Sequence, residues 1–323
     1  MLTRLHQEVS KFTPFLKDIQ MVYITPAQGE LYCIFSGFLY GLLGFFGMNI
    51  IHEGLSIGCM SFWRFLISTF FCFFIILTQN KKDTFLLSHL NKQHLYAFLN
   101  GISFCTFSTF GYFEASLYIG TGLAMVIFFA YPAFVLFFDF ILHKRVIEKA
   151  IIIPVFLITL GIFFLSDIQH VSFNLTGIAL GLFGAISYAF YIILGKKGTL
   201  PPIISTAWIS LGCSVGALLY TLFEQTFIIP TSFFIWANIG CIGILCTTLP
   251  ILFLFKGLAL ITSERAAILS VLEPIFSLFF GMLLLHEKIS STQLIGIIII
   301  LSSAIITMIQ PFLTTKRKDQ KRL

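Results

Sequence analysis

The sequence predicts an all-α integral membrane protein of ten transmembrane helices, arranged as two inverted five-helix repeats with both termini in the cytoplasm. Three observations predict it: a composition too apolar for water, ten apolar runs of spanning length, and an internal similarity between the two halves of the chain. Of 323 residues, 58% are hydrophobic, only 11% are charged, and 40 are phenylalanine. Soluble domains carry roughly 25% charged residues. A chain this poor in charge cannot cover a water-exposed surface, whereas a bilayer supplies the apolar solvent it needs.

A spanning helix needs about 20 mainly apolar residues. In chain order, such runs occupy 31–50, 57–78, 95–118, 122–141, 149–166, 174–194, 203–222, 234–256, 266–285 and 291–310. The connections are mostly short, so successive helices are expected to run antiparallel side by side. Residues 1–30 form a mixed, polar N-terminal segment with no cleavable signal pattern. Residues 31–166 and 174–310 are the two repeats, and 311–323 a basic cytoplasmic tail. The seven cysteines all lie in apolar runs without paired Cys-x-x-Cys spacing, so they read as small buried hydrophobes and not as a disulfide or zinc framework. No metal or other cofactor is expected.

The net charge of +6 does not describe a nucleic-acid face. With the N-terminus inside, eighteen basic residues fall on cytoplasmic segments or helix ends, five of them in the last eight positions, against Lys288 alone outside. That is the positive-inside bias of a membrane protein. The expected partners are a small-molecule solute and the lipid bilayer, with no nucleic acid, and a homodimer is left open.

The halves resemble each other. Pro132-Ala133-Phe134-Val135-Leu136-Phe137-Phe138 parallels Pro274-Ile275-Phe276-Ser277-Leu278-Phe279-Phe280, an offset of 142 residues. Gly37, Gly41, Leu42 and Gly44 parallel Gly177, Gly181, Leu182 and Gly184, an offset of 140. Five is odd, so the second half must enter the membrane upside down. Inverted repeats are a common carrier architecture, with the solute bound at their interface near the midplane.

At these residues the chain resembles the EamA-type branch of the drug/metabolite transporter superfamily, over roughly residues 30–310. The resemblance is carried by Ala259 to Gly296, with Ser263, Ala266, Glu273-Pro274, Phe276, Gly281, Leu284 and Glu287-Lys288, and by Arg64-Phe65 in the second helix. In the first half, Tyr131 stands before Pro132 where many members have Ser, and His143-Lys144-Arg145 replaces Gly-Glu-Arg/Lys. The resemblance implies ten helices, a central cavity between the halves, and export or exchange of metabolites such as amino acids.

Several residues could carry chemistry. Arg64 lies roughly 10 Å into the second helix, where an arginine must face a partner or a wet cavity. Its planar fork would suit a carboxylate or phosphate; a structural ion pair or snorkelling to the headgroups are equal readings. Glu273 precedes Pro274, which strips a hydrogen bond from the Ser270 carbonyl. Its carboxylate could pin the kinked helix by pairing with Arg64 or Lys256, bind a cationic group, or carry a proton. Pro132 and Pro274 are the expected helix kinks. Glu114 and Lys256, 142 residues apart, could snorkel from opposite helix ends or act as gates on opposite sides. Asp139 reads as an interface partner of Lys144 and Arg145. Trp63, Tyr112, Tyr188, Tyr191 and Trp208 could line a cavity, against a background of packing and interfacial anchoring. The glycines at 37, 41, 44, 177, 181 and 184, and the stripe Ala266, Ser270, Ser277 and Gly281, read as sites of close helix packing.

The sequence lacks a Gly-rich phosphate loop ending in Gly-Lys-Ser/Thr, and it lacks the His-Glu-x-x-His, Gly-x-Gly-Asp and Gly-x-Ser-Gly motifs of intramembrane enzymes. It is therefore expected to be a secondary transporter and not an enzyme, moving a small polar metabolite by alternating access in the bacterial cytoplasmic membrane. Arg64 and Lys256 suit a carboxylate, while Glu114 and Glu273 suit an amine, which together favour an amino acid or related zwitterion, by export or exchange. The rival reading is an assembly or regulatory protein that kept the fold without the transport.

Overall fold

A computed structural model describes residues 26–79, 90–143, 149–166, 174–286 and 289–320. The residues up to 25, the Lys81-Lys82 loop, Lys144-Arg145, the linker 167–173 and the Glu287-Lys288 pair lie outside the described residues. Among the described residues all regular secondary structure is helical. Backbone polar groups in hydrocarbon must be satisfied within the segment, and an apolar helix does this. Eight helices are long and apolar enough to cross a membrane. The remaining two stretches are a less apolar rod beginning at Lys92 and the shorter Lys149–Leu165.

In chain order, α1 is Pro26–Ile51 and α2 Ile57–Gln79. α3 comprises Lys92–Asn100, a π-helical turn Gly101–Cys105 and Thr106–Ile119. α4 comprises Thr121–Phe128 and Tyr131–His143, and α5 is Lys149–Leu165. α6 is Leu175–Lys197 and α7 Pro202–Phe223. α8 comprises Phe233–Gly243, a π turn Ile244–Thr248 and Leu249–Leu260. α9 comprises Ser263–Ser270 and Glu273–Leu285, and α10 is Ser291–Gln320. The starts have local causes. Asn91 accepts from the Gln93 amide at 2.9 Å, Asn174 caps Thr176 and Gly177, and Pro202 opens α7, where its missing N–H costs nothing. Gly120, at φ +80°, makes the sharp turn from α3 to α4.

Two boundaries differ from expectation. α1 begins at Pro26, so Glu30 lies inside the helix instead of in a polar leader. Arg265 supplies the opposite charge that lets it be buried there: its guanidinium bonds Glu30 at 2.5 Å and the Thr307 carbonyl at 2.7 Å. α10 runs on to Gln320, ten residues past the expected end at 310, because apolarity ends at the bilayer while helical geometry need not.

The halves repeat in detail at an offset of 142 residues. Thr106 donates to the carbonyl of Gly101, five residues back, and Thr248 does the same to Gly243. Each hydroxyl sits where the π turn rejoins the α-helix. α4 breaks at Phe129-Ala130 and α9 at Val271-Leu272, each just before an X-Pro pair. Contacts also recur with their partners exchanged. Gly161 of α5 lies against Gly296 of α10, and Ser303 of α10 donates to the Pro154 carbonyl of α5 at 2.9 Å. Position 303 is 161 advanced by the offset, and 296 is 154 advanced likewise.

The glycine match between α1 and α6 is not the structural one. Gly177, Gly181 and Gly184 pack against Ile119, Ala115 and the Ser108 carbonyl of α3. The corresponding contacts in the first half are made by Gly29 on Ile261, Cys33 on Gly257, and Ser36 on the Pro250 carbonyl at 2.8 Å. These residues lie 148 positions apart, not 140. The glycine spacing repeats at two registers, and packing selects the one that brings backbones into contact. Gly37 and Gly41 instead receive α9, with Glu273 and Phe276 against them.

Candidate functional site

A part-open cavity of about 290 Å³ lies among α1, α2, α3, α4, α6 and α9. Arg64 and Glu273 are its charged groups among the described residues, and Tyr40, Tyr112, Tyr188 and Tyr191 stand in its wall with Phe65, Phe128 and Phe129.

Each side chain is placed by a local feature. Glu273 opens the second segment of α9, immediately after the break that Pro274 enforces. Pro274 tolerates only the first turn of a helix, so the chain restarts there and turns Glu273 toward the cavity. Gly37 allows α1 to approach this restart: a Cβ on it would come within 3.3 Å of the Glu273 nitrogen. Arg64 enters from α2, with its backbone carbonyl against Gly243 of α8. It is 5% exposed, its guanidinium stands 4.5 Å from the Phe65 ring centroid, and its Nε has no hydrogen-bond partner among the described residues. Arg64 and Glu273 line the same cavity, yet the two do not form an ion pair among the described residues. A guanidinium and a carboxylate thus share one chamber with capacity left for a ligand.

The aromatic wall is a connected set. Tyr131 and Tyr188 meet edge-on at 4.6 Å between centroids, Tyr188 lies 5.5 Å from Tyr191 and from Phe128, and Tyr112 is 5.2 Å from Phe128. Tyr131, the 142-residue counterpart of Glu273, is fully buried and donates to the Ala267 carbonyl at 3.2 Å. Its half of the chamber is filled by a large core that includes Val135, Ile192, Leu254, Phe255 and Ile268. The end of the bundle beyond Tyr191 is fastened by the Glu30–Arg265 pair and by Lys196, whose ammonium bonds the Leu258 carbonyl.

Of the residues singled out from sequence, Arg64, Tyr112, Tyr188, Tyr191 and Glu273 come together in this cavity, with Pro274 at its edge. Glu114 lies outside its wall and accepts a 2.5 Å bond from Tyr220 of α7. Lys256 lies over Tyr32 and Phe253, 5.7 Å from each ring, a cation–π perch outside the chamber. Trp208 packs edge-on to Phe73 and His94, and Trp63 donates to the Ile228 carbonyl at 3.1 Å beside Trp236. None of the four lines the central cavity. Asp139 is buried near the cytoplasmic end expected for α4, and its expected partners Lys144 and Arg145 fall outside the described residues.

Tyr40, Gly44 and Gly47 line the cavity without having been singled out for it. The signal was present: 40, 44 and 47 follow a helical face, and Gly44 was read only as packing. Glu30 was missed because Pro26, Gln28 and Gly29 before it break the apolar run, so nothing in the local pattern placed it in a helix.

The seven cysteines are free thiols. Among the described residues no group of His, Cys, Asp and Glu is arranged to hold a metal ion.

Three comparisons bear on this arrangement. The sequence model of the EamA-like transporter family matches residues 27–167 and again 175–309, which are the two halves described above. An uncharacterized transporter of Archaeoglobus fulgidus is 26% identical over 288 residues, covering 86% of this chain and 95% of that protein. A crystal structure of another protein superposes with a TM-score of 0.75 at 14% identity, covering 87% of this chain and 96% of that one, which establishes likeness of fold.

Proposed function

The chain belongs to the EamA-like transporter family, and from that membership we propose a secondary transporter that exports or exchanges a small zwitterionic metabolite by alternating access. The single observation that carries the solute class is the pairing of Arg64 and Glu273 in one aromatic chamber without an ion pair between them. A bound carboxylate answers the guanidinium bidentately, and a bound ammonium answers Glu273. Tyr112 and Tyr188, both in the wall, supply aromatic surface for the cation and for any apolar side chain.

In this proposal all ten helices span the bilayer, both termini are cytoplasmic, and the halves are inverted about an axis in the membrane plane. The exchanged contacts at Gly161–Gly296 and Pro154–Ser303 support a twofold relation, and an odd helix number per half then requires inversion. The positive-inside count supports the orientation. The cavity, which reaches Ile51 at the end of α1, then faces outward, with the cytoplasmic end closed by the aromatic core. The membrane is the cytoplasmic membrane of a prokaryotic cell. Without a nucleotide-binding loop, the driving force is an ion gradient or counter-solute, and Glu273 is the group placed to carry a proton.

The test is flux. Metabolite profiling of vesicles with and without the protein identifies the solute, and proteoliposomes then measure its counterflow. Arg64→Ala and Glu273→Gln, each eluting as the wild type does, are expected to abolish counterflow. Full counterflow in both variants would remove this cavity from the transport path, and no flux of any zwitterion by the wild type would favour a non-transporting assembly protein.

A further inference from the structure

A second cavity, of about 520 Å³, lies where α3 begins, α6 ends and α7 begins, separate from Arg64 and Glu273. The repeat explains its origin. At the opposite end of the molecule, Trp63, Ile239 and Ile50 pack in one apolar cluster. Their counterparts, at offsets of 142, 142 and 148, are Ser205 for Trp63, Ala97 for Ile239 and Gly198 for Ile50, with Ser205, Ala97 and Gly198 all in the wall of the second cavity. Wherever one end has Trp, Ile and Ile, the other has Ser, Ala and Gly at matching positions. The missing side chains leave a groove.

Its rim is exposed. Tyr96, Leu99 and Leu194 border it at 62%, 44% and 36% exposure. In a membrane protein such apolar, outward-facing residues meet hydrocarbon, so an occupant enters from the lipid. The floor is apolar, with Phe104, Ile209 and Phe255. Lys197 is its one charged lining residue among the described residues, exposed at the α6 end, and Lys92 stands exposed at the α3 start beside Gln93 of the wall. At the opposite end the counterpart of Lys197 is Asn49, which instead donates to Asn238 at 3.3 Å.

We propose that this groove is a binding site for an anionic phospholipid, one acyl chain lying along α3 and α7 and the phosphate held by Lys92 and Lys197. Basic pockets between transmembrane helices at the cytoplasmic face recognise lipid headgroups in this way. With the orientation proposed above, the lipid comes from the cytoplasmic leaflet. The binding itself does not depend on which solute is carried, or on whether any is.

Native mass spectrometry of the purified full chain, with phosphatidylglycerol or phosphatidylcholine added, tests it. The wild type is expected to retain one phosphatidylglycerol in preference to phosphatidylcholine. Ser205→Trp, which restores the filler of the opposite end, is expected to lose the bound lipid, and Ala97→Ile carries the same expectation where Ser205→Trp elutes as aggregate. Lys92→Gln with Lys197→Gln is expected to reduce the preference for phosphatidylglycerol by about thirtyfold. Wild-type retention in both filled variants would overturn the site. Equal retention of the two lipids by the wild type would overturn its anionic character.

Discussion

The hydroxyls of Ser68 and Ser210 lie 2.8 Å apart, fully buried between α2 and α7, and the two residues are 142 positions apart in sequence. That separation is the repeat offset, so a residue touches its own counterpart. Two related bodies bring equivalent points together only on the axis that relates them. The pair therefore marks where the halves meet.

Each of these serines is the hydrogen-bond partner of the other in an apolar setting. Ser68→Ala or Ser210→Ala alone leaves a buried hydroxyl short of its bond and is expected to cost about 1–3 kcal/mol. The double alanine variant is expected to cost less than the sum, measured as a double-mutant cycle in unfolding of the solubilised protein. Strict additivity would mean that the two do not interact.

Glycine positions divide sharply by space. A Cβ on Gly101 would sit 2.2 Å from the Ile209 carbonyl oxygen, whereas one on Gly240 meets nothing within 4 Å. Gly101→Ala is expected to destabilise by about 1–3 kcal/mol or more, because backbone must move. Gly240→Ala, inside α8, is expected to be neutral or to stabilise by up to about 1 kcal/mol through helix propensity. Thermal unfolding of the two variants side by side gives the comparison.

The Glu30–Arg265 pair ties α1 to α9, and the Arg265 bond to the Thr307 carbonyl extends the tie to α10. Glu30 is 3% exposed. Arg265→Ala leaves that carboxylate buried beside a lost cation and is expected to cost about 3–5 kcal/mol. Glu30→Gln with Arg265→Met, which removes both charges while keeping volume, is expected to recover much of it. A single variant as stable as the wild type would show that the pair bears no strain of burial.

For the central cavity, Arg64→Lys separates charge from geometry. A lysine keeps the cation but loses the planar fork that takes a carboxylate with two bonds. It is expected to raise the half-saturating concentration of the identified zwitterion in proteoliposomes by about tenfold, roughly the value of one charge-assisted hydrogen bond. Tyr131→Phe serves as the comparison, since its hydroxyl is spent on the Ala267 carbonyl and not on the cavity.

Much of the frame was readable from the chain. Apolar runs of spanning length located each helical stretch, though not the start of α1 or the end of α10, because the requirement to satisfy backbone groups in hydrocarbon is local. Pro132 and Pro274 fixed where α4 and α9 break, again through local chemistry. Arg64 and Glu273 stood out because charge within an apolar run is costly unless something faces it. Lys256 and Glu114 stood out by the same rule and Trp208 as a cavity-lining aromatic, yet all three lie outside the cavity. Depth along a helix can be counted in sequence, but direction around it cannot.

What the sequence by itself determined is a membrane protein of helical rods, duplicated, with its breaks and its few intramembrane charges named. What only the tertiary structure decided is register and facing: α1 pairs with α6 at 148 and not 140, Glu30 meets Arg265 across 235 positions, and Tyr131 seals what its counterpart Glu273 leaves open. Helix formation and insertion follow from contacts a few residues apart and from the solvent around them. Which faces meet depends on backbone approach between distant segments, where one missing Cβ or one bulky ring decides whether a space is core or cavity.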